Sequence, residues 1–567
     1  MRWLIKVMRV VNAVRVQYFV LMPQLQVHVS PFVDWLHRAK CLFRRLRQVF
    51  AFISLATLHL AAQPQSPPNL GESVSLSPAA ERRLGDRIVR DLYRDPDYLD
   101  DPVIGDYVQS IWQPLLASAR ARGELPPELE QAFAWRILLG RDRTVNAFAL
   151  PGGYLGVHLG LVGLVSNRDE LASVLAHELS HVTQRHIARM IGRQSEQMPW
   201  LVGAMVMGAL AASKSPAGAN AAIVGGQAVA AQSQLNFSRD MEREADRAGF
   251  GVSTQAGFAP QGFVSMFEKL QQNNRNNDSG NFPYLRSHPL TTERIADMQS
   301  RMPEGAAAAA NLPSPELAPV PAPNQLPAFS SLEHNMVAAR ARVLANASVD
   351  GLRNAYLEAE PAAMAKLTPA QRVGALYGAS LAAIKLREFE KAARYAEALG
   401  RALGDDASAN GSDSARAAAR RQWRLLRAEL AQAAGQPEAA LQALGAKAAP
   451  QSRAELVIWV QLMTDTGQAP AAADAAQLWL VDRADDATMW QQLASARAAQ
   501  GRTVAAVRAE AEAAIAQQDY AGGLSRLKAA QDIARGRAQP ADYIEASIVD
   551  VRLRQVQALM REQVLDR

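Results

Sequence analysis

Two histidines four residues apart, His177 and His181 in Ala176-His177-Glu178-Leu179-Ser180-His181, share one face if the segment is helical and can grip a single metal ion. Glu178 then holds its carboxylate where it can take a proton from a water that the metal polarises, without binding the metal itself. That division of labour suits peptide-bond hydrolysis and makes the chain a candidate zinc hydrolase. A catalytic zinc usually takes three protein groups and a water, so a third ligand is required. Gln184 and Ile187 exclude the extended motif in which a glycine and a third histidine follow on the same segment. The next candidate is Ser238-Arg239-Asp240-Met241-Glu242-Arg243-Glu244-Ala245-Asp246, where Glu242 and Asp246 are one helical turn apart on one face. Glu242 can ligate, and Asp246 can orient a ligand histidine through its other ring nitrogen. Taken alone the run favours an ordinary charged helix; its place downstream of the histidine pair makes it a ligand segment.

Helices must position these groups. Asn167-Arg168-Asp169-Glu170 reads as an N-cap with a glutamate three residues on, and Leu171, Val174, Leu175, Val182 and Ile187 recur at helical spacing. The histidine pair therefore lies well inside a helix. Residues 78–122 are helix-like, with Ile88, Leu92, Ile104, Val108, Ile111 and Leu115 as apolar markers. The period then changes: 133–139 and 145–161 read as extended, with Pro151-Gly152-Gly153 turning between two short strands.

Asn146-Ala147-Phe148-Ala149-Leu150-Pro151-Gly152-Gly153-Tyr154, the histidine pair, Ser238-Arg239 with Glu242 and Asp246, and Ser287-His288-Pro289 with Arg294-Ile295 together resemble the CAAX-prenyl-protease type of zinc metallopeptidase. The resemblance covers residues 75–302. It implies one Zn2+ per chain held by His177, His181 and Glu242, with Glu178 the general base and Asp246 the carboxylate behind the ligands. It also implies an edge strand that binds substrate by strand addition, at Asn146, Ala147, Phe148 and Ala149 or at Tyr154 to His158; a plain structural hairpin fits these residues equally well. His288 has two readings of equal weight. It caps or packs a helix that Pro289 starts, or its neutral imidazole is a fourth metal ligand that replaces the catalytic water and keeps the enzyme latent.

At 567 residues, two or three domains are expected. The first 62 are not among them: Arg44, Arg45 and Arg47 precede an apolar run from Val49 to Leu60, and Ala61-Ala62 lead into Gln63-Pro64. This reads as a secretory signal cut near residue 62, with an uncleaved tether as the alternative. The residues before about 40 are surplus to such a signal and fit an upstream start codon. Cys41, the single cysteine, lies before the apolar run, so it is not a lipoprotein cysteine and the mature chain has no disulfide. Of the net +6, the leader holds nine Lys or Arg against one acid, Asp34, a surplus of eight that leaves −2 for the rest. No basic patch with interleaved aromatics remains, so nothing suggests a nucleic-acid partner and none is expected.

An alanine-, glycine- and methionine-rich stretch, residues 198–231, separates the two metal motifs; its first apolar run is too short to span a bilayer. It reads as a lid, as a flap making peripheral membrane contact, or equally as ordinary core helix. A Pro/Ala-rich linker, 303–328, follows the catalytic unit. Beyond it, 330–567, turns at Arg387, Gly435, Gly467, Gly501 and Gln518 punctuate an alanine- and leucine-rich sequence. The spacings of 32 from Gly435 to Gly467 and 34 from Gly467 to Gly501 approach the tetratricopeptide period; the 48 from Arg387 to Gly435 is explained by a polar insert, 404–414. About four repeats are expected, stacked as a solenoid able to hold a polypeptide.

The fold class is thus mainly α: a zincin-type metalloprotease domain of helices with a small β-sheet, followed by an α-helical tetratricopeptide solenoid. The residues alone support an exported protease with an interaction domain. The resemblance implies more: a periplasmic enzyme of outer-membrane protein quality control that degrades misassembled barrel proteins, assists their assembly and meets the assembly machinery through its repeats. A chaperone or scaffold with a latent protease is the alternative.

Overall fold

The computed structural model describes residues 76–193, 239–275, 282–302, 331–405, 413–445, 450–537 and 542–565. The leader, the stretch between the metal motifs and the Pro/Ala linker lie outside them. The first helical region is two helices, α1 (Pro78–Tyr93) and α2 (Pro102–Ala121), with a short strand β1 (Tyr98–Leu99) between them. Pro96 bars continuation of α1, and Asp101 restarts the helix by accepting from the Ile104 amide at 2.9 Å. Then come α3 (Pro127–Ala132), β2 (Arg136–Gly140), β3 (Ala147–Leu150), β4 (Tyr154–His158), α4 (Leu159–Leu164), α5 (Arg168–Thr183) and α6 (His186–Arg193).

The sheet runs in the order β1-β2-β4-β3, with β2 and β4 parallel and β3 antiparallel to β4. Gly152 and Gly153 take φ of 74° and 83° in the hairpin turn, which suits residues without a Cβ. Two sequence expectations change. The extended stretch ends at His158, and Leu159 to Leu161 are helical. Tyr154 to His158 cannot accept a further strand, because β4 is paired on both sides; β3 is the edge.

Helix α5 is buried from end to end, apart from the half-buried Asp169, although nine of its sixteen residues are polar, so its buried polar groups must find partners inside the fold. Asn167 caps it, accepting from the Glu170 amide at 2.9 Å, while the Glu170 carboxylate turns back to the Ser166 amide at 2.7 Å. The helix stops at Thr183 because Arg185 adopts φ of 53°, so Ile187 belongs to the next helix and not to the same apolar stripe. After α7 (Arg239–Gln255) and α8 (Gln261–Arg275) come a single turn α9 (Tyr284–Ser287) and α10 (Thr292–Ser300). Thr291, not Pro289, starts α10, its hydroxyl accepting from the Arg294 amide at 3.2 Å.

The described elements of the C-terminal half are all helices: α11 (Ser331–Ala345), α12 (Val349–Glu358), α13 (Pro361–Met364), α14 (Pro369–Lys385), α15 (Phe389–Asp405), α16 (Asp413–Ala433), α17 (Pro437–Leu444), α18 (Arg453–Asp465), α19 (Ala469–Asp482), α20 (Ala487–Ala499), α21 (Thr503–Ala516), α22 (Tyr520–Arg537) and α23 (Asp542–Leu565). All five turn residues named from the sequence have φ between 60° and 80°. From α14 onward the described helices make five consecutive pairs rather than four, and Gln518 joins two pairs instead of closing one.

This array shares its packing with the catalytic half. Val337 and Ala341 of α11 belong to the core built on Ile111, Leu115 and Leu175, and Val103 of α2 packs among Leu425, Ile458 and Leu462. Buried Arg340 of α11 bonds Asp101 at 2.8 Å and Glu429 of α16 at 2.6 Å. Among the described residues no helix is long and apolar enough to cross a membrane.

Candidate metal centre

Helices α5 and α7 approach closely at Gly249, where a methyl group would stand 3.0 Å from the Ala176 carbonyl and the His177 nitrogen. The histidines of one helix thereby face the carboxylates of the other. His177 Nε2 and His181 Nε2 lie 3.0 Å apart, and Glu242 presents Oε2 to the first and Oε1 to the second, each at 3.5 Å. His288, at the C-cap of α9, brings Nδ1 to 3.3 Å from His177 Nε2 and 3.1 Å from Glu242 Oε1. One ligand atom from each of these four buried residues lies within 4.8 Å of the others.

The hydrogen-bond network assigns the protons. His186 Nε2 lies 3.1 Å from Glu244, so it donates there and leaves Nδ1 to accept from His181 Nδ1 at 2.8 Å. His181 Nε2 is then a lone pair. His177 Nδ1 faces Asp246 Oδ1 at 3.0 Å, which makes His177 Nε2 a lone pair too. Two nitrogen lone pairs 3.0 Å apart beside a carboxylate repel one another unless a cation lies among them. The donor set therefore fits a divalent metal ion, with imidazole nitrogens and a carboxylate oxygen as ligands.

The ionisation of the side chains points the same way. Burial opposes charge on His177, yet the hydrogen bonds and charges of Asp246 and Glu242 overcome it and lift the imidazole to about 9: without a metal, a proton supplies the missing positive charge. Burial drives His181 well below its ordinary value and His186 down to about 4, so both stay neutral at pH 7. For Glu242 burial is overruled by the imidazoles of His288 and His177, which hold the carboxyl well below its usual range.

Glu178 is fully buried, and that burial raises its carboxyl pKa, the direction a general base needs. Its Oε2 accepts from the Ala149 amide at 2.9 Å, and Oε1 lies 3.4 Å from His288 Nε2. The base thus touches both the edge strand and the donor cluster. The Asn146 carbonyl accepts from the His158 amide at 3.0 Å, so strand alternation directs the backbone of Asn146 and Phe148 at β4 and that of Ala147 and Ala149 at the open edge.

Four residues in this shell carried no role in the sequence reading. Arg294 Nε and Nη2 grip Asp246 at 2.6 and 2.8 Å, and Nη1 reaches Glu242 Oε2 at 2.8 Å. Two buried acids on one helix face needed a cation, which was the available signal. His186 orients His181, Tyr284 lies against the His288 ring with centroids 4.7 Å apart, and Gly249 sets the helix spacing.

Residues 107–302 match the model of peptidase family M48. That segment is similar to peptidase family M48. It contains every residue of the donor cluster, the base and the edge strand. A Vibrio cholerae relative is 31% identical over 334 residues, 58% of this chain and 62% of its own length. The beta-barrel assembly-enhancing protease of Escherichia coli is 32% identical over 269 residues, 46% of this chain and 53% of that protein. The mitochondrial metalloendopeptidase OMA1 of Saccharomyces cerevisiae is 29% identical over 203 residues, 35% of this chain and 55% of its own. The chain therefore spans between 53% and 62% of the length of these relatives.

Proposed function

We propose that the chain is a zinc endopeptidase exported to the periplasm, where it degrades misassembled outer-membrane barrel proteins and assists their assembly. The observation that carries the hydrolase reading is the convergence of His177, His181, Glu242 and His288 within 4.8 Å, with Glu178 against both that cluster and the edge strand. His177, His181 and Glu242 would hold the ion, and Asp246, anchored by Arg294, fixes the His177 ring. When bound, zinc supplies Lewis-acid polarisation of the scissile carbonyl and acidifies water. The extended substrate pairs with Ala147 and Ala149. Glu178 gives up its bond to the Ala149 amide, takes a proton from water on its carboxylate and returns it to the departing amine. The barrel-protein clients rest on the name of the Escherichia coli relative, and export rests on the signal-like segment ahead of residue 62. The helical array, read as tetratricopeptide repeats, would engage clients or the assembly machinery.

The burial of the centre favours a second reading. His181 and Glu178 are both 0% exposed, and His288 fills the space beside them. His288 as a further ligand would hold the protease latent, leaving a chaperone or scaffold that acts mainly through the array. Cleavage of casein by purified protein, with and without a chelator, and zinc content per chain decide between them. Chelator-sensitive cleavage supports the peptidase; one zinc per chain without cleavage supports the latent scaffold; absence of zinc overturns both.

A further inference from the structure

Gln518 turns the chain between α21 and α22 with φ of 60°, a left-handed conformation that burdens any residue with a Cβ. At three other turns the array uses Gly435, Gly467 and Gly501, and at a fourth Arg387, whose guanidinium stays within the array over the Phe389 ring. Here it keeps a side chain, and that side chain leaves the array. Gln518 Nε2 donates to Tyr154 Oη at 3.2 Å and to Asp86 Oδ1 at 3.3 Å. Tyr154 Oη donates to the same Asp86 oxygen at 2.6 Å, Arg82 does so at 2.7 Å, and the Arg82 guanidinium lies 5.3 Å from the centre of the Tyr154 ring. The next residue, Asp519, pairs with Arg94 beyond the end of α1 at 3.3 Å.

Tyr154 opens β4, and its partner across the hairpin is Leu150, the last residue of β3. Helix α1 packs on this closed end without clearance: a methyl on Gly85 would meet the Pro151 carbonyl oxygen at 2.0 Å, and one on Gly152 would meet Arg82 Cα at 2.6 Å. Adjacent to Leu150 is Ala149, whose amide holds Glu178. A short path therefore joins the array to the base: Gln518 to Tyr154, across the hairpin to Leu150, and along β3 to Ala149.

We propose that Gln518 is a positioning residue through which the helical array, acting on Tyr154 and Asp86, fixes the closed end of the β3–β4 hairpin and so sets the placement of an extended substrate on β3. The proposal rests on the reading of β3 as the substrate strand of a peptidase. The array then adjusts the catalytic half at one turn, independently of whatever it binds elsewhere.

The test uses the full-length, zinc-loaded protein. Gln518→Gly keeps the left-handed turn, which glycine adopts freely, and removes the amide. The KM for an extended peptide should rise about two- to tenfold, the worth of one hydrogen bond, while kcat and metal content stay within about twofold. Tyr154→Phe should do the same, and the double variant should be no worse than either alone. Amide hydrogen exchange over residues 147–157 should quicken in Gln518→Gly without any substrate. Unchanged exchange there overturns the proposal whatever the activity, and additive effects in the double variant overturn the route through Tyr154. Faster exchange in a protein whose wild type shows no chelator-sensitive cleavage would uphold the clamp on the hairpin and overturn the peptidase reading instead.

Discussion

Glu178 and Glu242 are buried in the same cluster, yet their surroundings drive them apart: burial raises the first, whereas His288 and His177 outweigh burial and keep the second an anion. One is suited to carrying a proton and the other to holding a cation. Glu178→Gln should therefore keep one zinc per chain and lose about 10²–10⁴-fold in kcat, as expected for a missing base. Metal loss in that variant would show that the residue ligates. Glu242→Gln should lose the metal, by more than the roughly 10–100-fold that outer partners of a ligand are worth. Glu244→Gln should retain it, because Glu244 pairs with His186 and Arg189 at 3.1 and 2.8 Å on the far side of the histidines. If metal analysis found the two reversed, the helix face would have been assigned wrongly. His288→Ala should keep zinc and cleave casein faster if the ring blocks the water site. A rate equal to or below wild type, with folding intact, would leave His288 a structural or transition-state role.

Helix α5 was legible because its cap, its apolar content and its two histidines all follow from local sequence. The break after it was not. Arg185 enters the left-handed region, where arginine is uncommon, and only that break swings His186 back onto His181. Arg294 was visible only as part of the motif that carries the resemblance; its role was not, since its partners Asp246 and Glu242 lie some fifty residues away and leave no periodic trace. The edge strand was half legible: the residue pattern marked a hairpin, while the pairing that makes β3 the edge depends on β2 inserting beside β4. Gly249 shows packing overriding local preference. In an exposed helix Gly→Ala would stabilise by about 0.5–1 kcal/mol, but at the α5–α7 contact overpacking costs roughly 1–3 kcal/mol. Gly249→Ala should lower the thermal midpoint and weaken metal binding by moving Glu242 and Asp246 away from the histidines. A higher midpoint with unchanged metal affinity would show that the contact yields.

The sequence pictured a catalytic unit and a repeat unit joined by a linker; in the folded chain the two halves close one another's cores. Such long-range pairing follows no local period, so nothing in the repeats announced it. Arg340 concentrates the dependence. It is buried, bonded to Asp101 where that residue caps α2, to Glu429 on α16 and to Tyr377 Oη on α14 at 3.2 Å. A buried cation of this kind adds little net stability over an apolar replacement of the whole group, but removing it alone strands two carboxylates, a cost of about 3–5 kcal/mol. Arg340→Met should therefore destabilise strongly, and adding Asp101→Asn, which removes one charge yet keeps a good helix cap, should recover part of the loss. Because α2 also lies in the core of the catalytic domain, the damage should not stay in the array. Metal release and array melting, followed by a zinc dye and by far-ultraviolet circular dichroism, should shift together in Arg340→Met. A variant in which the array melts early while zinc stays bound to the wild-type temperature would show two independent folding units, and the control of the hairpin by Gln518 would then have no rigid body behind it.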